Sequence, residues 1–150
     1  MNRYLILAGL LILVLGGGTL MGTANLPGPW YEALQKPWFN PPNWLFGPAW
    51  TVLYVLIAIA GWRTFERRPT GTAMKLWWAQ LVLNFSWSPV FFTLHSIGLA
   101  LVIILAMLAA ILGFVAVTWN RDRAAALLFV PYAAWVSFAG ALNAAIWLLN

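Results

Sequence analysis

Residues 97–119 read IGLALVIILAMLAAILGFVAVTW and include no charged side chain. Since about 20 mostly apolar residues cross a bilayer as a helix, this stretch predicts a transmembrane helix. The whole chain has the same character, because 63% of its 150 residues are hydrophobic and only 7% are charged. A soluble domain carries roughly 25% charged residues. The sequence therefore predicts an integral membrane protein.

Four further stretches are long and apolar enough to cross the bilayer. The five predicted spans are residues 4–24, 45–62, 75–94, 97–119 and 124–149. The first resembles a secretory signal followed by small residues, but its apolar run continues through Met21 and is long enough to be kept as a span. The predicted fold is an all-α membrane protein, a five-transmembrane-helix bundle with a structured first loop. Residues 1–150 form one domain in this prediction.

Basic residues are distributed unevenly between the two ends of the predicted bundle. Five crossings place the N-terminus and the second and fourth loops on one side, which holds Arg3, Arg63, Arg67, Arg68, Lys75, Arg121 and Arg123. The other side holds only Lys36. Because Lys and Arg accumulate on the cytoplasm-like side, the N-terminus is predicted there, with the long first loop and the C-terminus opposite. This charge suits anionic lipid headgroups, and no nucleic-acid partner is expected.

Catalytic and metal chemistry has few candidate residues in this chain. It contains no Cys, one His and three acids, Glu32, Glu66 and Asp122. His95 lies in a predicted turn, without a second imidazole or a nearby acid. The sequence offers no nucleophile–base pair and no metal-binding cluster. We therefore predict no metal site and no obligatory cofactor.

The first loop, residues 25–44, differs from a flexible linker. Flexible linkers are rich in Gly and Ser, whereas this loop is rich in proline and aromatic residues. Its aromatic residues are Trp30, Tyr31, Trp38, Phe39 and Trp44. Pro29 suits the first position of a short helix predicted over residues 29–35. Either the aromatic side chains form an interfacial belt, or the loop is a lid packed over the bundle, and the prolines favour the lid.

Three spans carry aromatic or amide side chains on one face, at helical spacing. The stripes are Phe46, Trp50 and Tyr54; Gln80, Asn84 and Ser88; and Trp135, Ala139, Asn143 and Trp147. If these stripes converge, they line a pocket beneath the first loop. Alternatively, the amides only join membrane helices to one another. The second interpretation is favoured for Gln80, and both stay open for Asn84 and Asn143.

Ten of the eleven tryptophans fall into predicted groups. Four at span ends are interpreted as interfacial anchors: Trp44, Trp62, Trp77 and Trp119. Another four lie among prolines and amides and suit a flat unsaturated ligand: Trp30, Trp38, Trp50 and Trp135. Aromatic side chains contribute large apolar contact areas, which fits both uses. Trp87 and Trp147 stay undecided between pocket and packing.

Small residues on two spans allow helices to approach closely. Gly18 and Gly22 lie on the first span, and Ala133, Ser137 and Ala141 on the fifth. Such ridges serve packing within a bundle or within a dimer, and both interpretations stay open. Ala139 similarly either leaves space for a flat ligand or only permits helix packing.

Three runs of residues carry a resemblance to a known family. They are Trp30-Tyr31-x-x-Leu34-x-Lys36-Pro37-x-x-x-Pro41-Pro42 continuing into Phe46-x-Pro48-x-Trp50-x-x-Leu53-Tyr54, then Gln80-Leu81-x-Leu83-Asn84-x-x-Trp87-Ser88-Pro89-x-Phe91-Phe92, then Trp135-x-x-Phe138-Ala139-x-x-Leu142-Asn143-x-x-Ile146-Trp147. Together they cover nearly the whole chain in order. The chain resembles the translocator protein family, also called tryptophan-rich sensory proteins (TspO/MBR, peripheral benzodiazepine receptor), in its bacterial form.

The resemblance implies a five-helix membrane bundle, often a homodimer, that binds tetrapyrroles such as protoporphyrin IX as ligands. It also links the chain to cholesterol, to benzodiazepine-type ligands, and to stress and tetrapyrrole regulation. The ligand-binding residues implied are Trp30, Tyr31, Trp38, Pro41, Phe46, Trp50, Tyr54, Asn84, Ser88, Phe92, Trp135, Phe138, Ala139 and Asn143. One departure concerns sterols. The family's sterol pattern needs a basic residue after its tyrosine, and none follows Tyr132 through Asn150.

Three functions are compatible with these residues. The favoured one is a membrane receptor or sensor for tetrapyrroles. The second is a porphyrin or sterol transporter, with Pro89 and Pro131 as candidate hinges; the chain shows neither an inverted repeat nor an intramembrane acid for ion coupling. The third is a light-dependent porphyrin-degrading enzyme, in which an excited porphyrin oxidises Trp50 or Trp135.

Overall fold

The computed structural model describes residues 2–150, which fold into six helices and contain no strand. The helices are α1 (Arg3–Ala24), α2 (Pro29–Ala33), α3 (Phe46–Arg67), α4 (Thr72–Ser88), α5 (Ile97–Thr118) and α6 (Arg123–Leu149). The predicted all-α class is confirmed. The short helix α2 begins at Pro29, as predicted, and ends before residue 35. Helix α3 continues beyond residue 62, the predicted end of the second span.

Within residues 2–150, four helical stretches are long and apolar enough to cross a membrane: Arg3–Ala24, Asn43–Arg67, Ile97–Thr118 and Arg123–Leu149. This confirms a multi-pass membrane protein. Helix α4 differs from these four, because Lys75, Gln80 and Asn84 lower its mean hydropathy. It has 17 residues before a π-helical turn continues it over Pro89–Thr93. Length and apolar character alone therefore support four spans, and not the five predicted.

The five longer helices pack side by side in a ring. Helix α5 lies between α4 and α6, α3 contacts both α6 and α1, and the second half of α1 contacts α4. Each of the five contributes a buried side chain to one apolar core, as Val14, Ile57, Trp77, Ile111 and Phe129 illustrate. This arrangement places the chain connections at the two ends of the bundle, where the candidate sites lie.

Trp77 lies inside the bundle, so its interpretation as an interfacial anchor was wrong. Its side chain is fully buried, and its indole Nε1–H donates to the carbonyl oxygen of Ile57 at 2.9 Å. A Cβ atom at Gly61 would overlap the indole ring. Glycine on α3 therefore opens the space that a large side chain on α4 fills. Trp77 lies inside the bundle although it is near the end of a span, because α3 supplies both the space beside Gly61 and a hydrogen-bond acceptor at Ile57.

Helix α1 contains a π-helical turn over Ile12–Gly16, directly before two glycines that contact other helices. A Cβ atom at Gly17 would overlap the Phe85 ring, and one at Gly18 would overlap the Tyr54 ring. Gly18 therefore serves packing within the bundle. Gly22, the other glycine of the predicted ridge, has nothing within 4 Å of a Cβ atom built on it.

Basic residues meet at one end of the bundle, around Asp122. Arg63 donates to both carboxylate oxygens of Asp122, from Nε at 3.1 Å and from Nη2 at 2.9 Å. Arg67 Nε lies 3.4 Å from the same carboxylate. Burial opposes the charged form, but the hydrogen bond from Arg63 and the charges of Arg63 and Arg67 hold the pKa of Asp122 below its usual range. These contacts join the end of α3 to the start of α6.

The first loop and the C-terminus meet at the opposite end. The Asn150 side-chain oxygen accepts a hydrogen bond from the backbone N–H of Gln35 at 3.0 Å. Its Nδ2 donates to the carbonyl oxygen of Gln35 at 2.9 Å. The loop and the C-terminus therefore share one end of the bundle, and the basic residues of the other loops occupy the other.

Candidate functional site

The first loop packs aromatic side chains onto α6 and onto the π-helical turn after α4. The buried Tyr31 ring lies 5.4 Å from the Phe92 ring, and the Phe39 ring lies 6.1 Å from that of Phe138, both in edge-to-face geometry. Such geometry is favourable for aromatic pairs. Burial raises the pKa of the Tyr31 hydroxyl above its usual range, against an opposing hydrogen bond with Asn40. The loop thus forms a lid over this end of the bundle.

A second contact fastens the lid to the turn between α4 and α5. The Trp30 ring stacks on the His95 ring, with centroids 4.1 Å apart and planes inclined by 11°. His95 has a φ of 57°, the left-handed region that few residues other than glycine adopt. This backbone conformation turns the chain sharply and presents the imidazole to the lid. The stack of the half-buried Trp30 ring on the exposed His95 ring therefore closes one edge of the lid.

Beneath the lid, aromatic rings continue into the bundle between α3 and α6. Trp135 lies 5.8 Å from Phe138, 6.0 Å from Phe46 and 6.4 Å from Trp50, measured between ring centroids. Trp50 in turn lies 5.5 Å from Tyr54. We call this set the aromatic column: Phe39, Phe138, Phe46, Trp135, Trp50 and Tyr54. The column runs from the lid into the interior.

Trp135 has an unusual position in the aromatic column. Its indole Nε1 is buried and has no hydrogen-bond partner among residues 2–150. A buried donor without a partner costs about 1–3 kcal/mol. Neighbouring Phe46 and Trp50 supply ring contacts at this point. The indole N–H is therefore available to an acceptor atom of a bound molecule.

Two polar side chains of α4 are joined to α6 through Tyr132. Asn84 Nδ2 donates to the Tyr132 hydroxyl oxygen at 2.7 Å, and the same hydroxyl donates to Gln80 Oε1 at 2.7 Å. All three side chains are buried. The interhelical interpretation of Gln80 is confirmed, and Asn84 has the same role in this structure.

Asn143 joins α6 to both α4 and α5. Its side-chain oxygen accepts from Trp87 Nε1 at 3.0 Å, and its Nδ2 donates to the carbonyl oxygen of Ile97 at 3.1 Å. Trp87 also stacks on Phe91, with ring centroids 4.9 Å apart. The sequence left open whether Trp87 lines a pocket or packs between helices. In the structure it packs between the lid contacts and α6.

The aromatic column is closed, since its rings are in contact with one another. A drug-sized ligand occupies a pocket of about 300–1,000 Å³. Two smaller cavities, of about 170 Å³ and 60 Å³, lie at the basic end of the bundle instead. Entry of a large flat molecule beneath the lid therefore requires the lid or the rings to move.

Comparison with known proteins places the chain in a family. Its residues 8–148 match the TspO/MBR family. The chain belongs to that family. It is 40% identical to the tryptophan-rich protein TspO of Archaeoglobus fulgidus, over 100% of this chain and 99% of the relative. It is 37% identical to a tryptophan-rich sensory protein of Cereibacter sphaeroides (85% and 81% covered) and 33% identical to the human translocator protein (79% and 73%).

The structure brings together most, but not all, of the residues that the TspO/MBR resemblance implied. In the lid contacts and the aromatic column lie Trp30, Tyr31, Phe92, Phe46, Trp50, Tyr54, Trp135 and Phe138. Trp38 lies apart: it is 95% exposed and contacts Phe39 at 5.5 Å. Pro41 and Ser88 are half-buried, and Ala139 packs against the core.

Phe91 belongs among the lid contacts of this TspO/MBR chain but was not among the predicted site residues. It is 1% exposed, and its ring lies 5.8 Å from Trp30, 6.2 Å from Tyr31 and 4.9 Å from Phe92. Its spacing of four residues from Trp87 was the available signal, because side chains at i and i+4 share a helix face. Tyr132 was missed for another reason, since only its partners on α4 reveal its role.

Proposed function

We propose that this chain is a membrane receptor or sensor for tetrapyrroles such as protoporphyrin IX, bound at the aromatic column beneath the lid. The unpartnered indole N–H of Trp135 carries the proposal. A porphyrin is a flat aromatic molecule with carboxylate groups, so aromatic faces bind its ring while a donor meets an acceptor atom. The relative in Cereibacter sphaeroides that is named a sensory protein supports this role.

Ligand binding is coupled to opening of the lid. The lid is held by the Trp30–His95 stack, by ring contacts such as Phe39–Phe138 and by the bonds between Gln35 and Asn150. A ligand that fits only beneath an opened lid shifts the population toward the open state. The lid position then reports whether the ligand is bound, which gives a sensor its output at one membrane surface.

We further propose that all five longer helices cross the bilayer, with the N-terminus on the cytoplasm-like side and the lid opposite. Helix α4 crosses despite its polar residues because Gln80 and Asn84 bond to Tyr132 inside the bundle rather than face lipid. A homodimer fits the small residues that the bundle leaves uncovered. Gly22 and Ser137 are such residues, since both are exposed.

The test is a titration of the full-length protein in detergent micelles with protoporphyrin IX, followed by tryptophan fluorescence. We expect saturable quenching. Trp135→Phe keeps an aromatic ring but removes the N–H donor, so it weakens affinity by about fivefold, the equivalent of roughly 1 kcal/mol for one hydrogen bond. Trp119→Phe, at the basic end, serves as the matched control and leaves affinity unchanged. Absence of saturable quenching refutes the receptor, and equal affinities of the two variants refute the placement of the ligand.

A transporter is the second candidate, and the π-helical turn over Pro89–Thr93 favours it. π-helical turns are rare in proteins overall, but those that occur often lie at functional sites. This one carries Phe91 and Phe92 beneath the lid. The human relative is named a translocator protein. Porphyrin flux into proteoliposomes that exceeds flux into protein-free vesicles supports transport. Binding without flux leaves the sensor as the function.

A further inference from the structure

A cavity of about 170 Å³ lies at the basic end, away from the lid. It is lined by Arg3, Trp62, Arg63, Glu66 and Arg67. A cavity needs about 10–15 Å³ on this measure to hold one water molecule, so this one has room for a group the size of phosphate. Its lining includes three arginines and one acid, Glu66, and Asp122 pairs with Arg63 and Arg67 beside it. Three positive charges against two negative ones leave one net positive charge, which suits an anion.

Arg3 is held at the cavity by aromatic rings rather than by an acid. Its guanidinium carbon lies 5.4 Å from the centroid of the Tyr4 ring and 5.2 Å from that of Trp62. Trp62 Nε1 also donates to the backbone oxygen of Arg3 at 2.9 Å. A cation–π contact uses the face of a guanidinium and leaves its N–H edges for an acceptor. Arg3 therefore keeps its side-chain donors for a ligand.

Asp122 and the adjoining loop position the other two arginines. Arg63 uses Nε and Nη2 on Asp122, and Arg67 Nη1 donates to the carbonyl oxygen of Arg121 at 2.9 Å. Each guanidinium has five N–H donors, so these bonds fix the side chains and leave donors over. Arginine groups arranged in this way bind phosphate oxygens with strong, charge-assisted hydrogen bonds.

We propose that this cavity binds the phosphate group of an anionic membrane lipid. An apolar surface continues from it along the outer face of α1, where Tyr4, Leu5 and Ile12 are 63%, 65% and 73% exposed. Acyl chains lie along this surface when the phosphate group occupies the cavity. Free phosphate shares the headgroup chemistry but makes no use of the apolar face, which is why the lipid is the inferred occupant.

The experiment is native mass spectrometry of the full-length protein, released from a neutral detergent after incubation with phosphatidic acid. Diacylglycerol with the same acyl chains and inorganic phosphate are the comparison probes. We expect one saturable copy of phosphatidic acid, no saturable diacylglycerol, and no displacement of the lipid by inorganic phosphate at equal concentration. Saturable diacylglycerol binding overturns the phosphate site. Displacement by inorganic phosphate at equal concentration overturns the lipid as occupant.

Matched variants separate this cavity from the general charge of the basic end. Arg3→Gln weakens phosphatidic acid binding by about fivefold, whereas Arg123→Gln, which removes an equal charge outside the cavity, changes it less than about twofold. Arg123 lies over Trp119, 4.5 Å from its ring centroid. Glu66→Gln removes the carboxylate from the lining and strengthens binding. Equal losses in the two arginine variants, or unchanged affinity in Glu66→Gln, overturn the proposal.

Discussion

Replacement of Tyr132 by phenylalanine tests the polar network between α4 and α6. The phenylalanine ring keeps the contacts with Phe129 and Trp50, whose ring centroids lie 5.3 and 6.2 Å from that of Tyr132. Only the hydroxyl group is lost. Asn84 Nδ2 then loses its acceptor and Gln80 Oε1 its donor, both inside the protein. The variant therefore isolates two buried hydrogen bonds at small cost in packing.

Two limits bound the loss of unfolding free energy expected for Tyr132→Phe. A buried polar group left unpaired costs about 1–3 kcal/mol, which gives roughly 2–6 kcal/mol for two groups. Interhelical hydrogen bonds in membrane proteins average only about 0.6 kcal/mol, because the unfolded helices find other partners in the bilayer. Gln80 Nε2 has no partner among residues 2–150, so loss of the Tyr132 hydroxyl leaves both polar atoms of the Gln80 amide unpaired. We expect the free energy of unfolding to fall by about 2 kcal/mol, roughly a 30-fold change in equilibrium constant.

The measurement is equilibrium unfolding of the purified protein in mixed micelles with increasing dodecyl sulfate, followed by circular dichroism. Tyr4→Phe is the matched control, since Tyr4 is exposed, and we expect a change below about 0.5 kcal/mol. A double-mutant cycle with Gln80→Leu measures the coupling of the two side chains. If Tyr132→Phe is as stable as the control and the coupling is zero, the network does not stabilise the bundle and the reasoning is refuted.

Three further changes test the packing, the ion pair and the lid. Gly61→Leu places a side chain in the space of the Trp77 ring, so we expect it to prevent folding to the native state. Gly22→Ala is the control: its Cβ atom meets open space, and the change is neutral or stabilising by up to about 1 kcal/mol. Thermal unfolding distinguishes the two variants. The folded state lowers the pKa of Asp122, so its contribution to stability is present at neutral pH and is lost as the pH falls below about 4; Asp122→Asn removes this acid-range dependence in unfolding experiments. Asn150→Ala removes the bonds to the lid and speeds hydrogen exchange of the lid backbone without altering the helix core.

Each of these changes has an outcome that contradicts it. If Gly61→Leu keeps a native fluorescence spectrum and an unchanged melting temperature, the space between Gly61 and the Trp77 ring is not tightly packed. An identical acid-unfolding curve in Asp122→Asn shows that the ion pair contributes nothing to stability. Unchanged exchange of the lid in Asn150→Ala shows that its remaining contacts suffice to hold it.

The positions of most helices followed from the sequence, because lengths of apolar chain translate directly into membrane-spanning helices. The end of α3 did not follow. The helix continues past Trp62 to Arg67 because Arg63 and Arg67 meet Asp122, which lies far along the chain. A prediction from apolar length ends a span at its first charged residue. The helix itself continues as long as its charged residues find partners.

The site was predictable to the extent that helical spacing determines which side chains share a face. Spacing of three or four residues correctly grouped Phe46, Trp50 and Tyr54 on α3. It did not reveal which faces meet, so the roles of Trp77 and Asn84 required the positions of Gly61 and Tyr132 on other helices. Nor does the stiffness of a proline-rich loop determine which of its rings turn inward.

The π-helical turn in α1 determines how the helix responds to a change in its length. A π-helical turn accommodates one residue more than the α-helical turn it replaces, because its hydrogen bonds reach five residues back instead of four. Deletion of one residue within Ile12–Gly16 therefore restores a regular helix while Gly17 and Gly18 keep their orientation. Length changes are normally excluded from the middle of a membrane helix, since they rotate everything that follows. A single deletion at this turn therefore leaves the rest of α1 in place, so a chain one residue shorter here can pack the same helices.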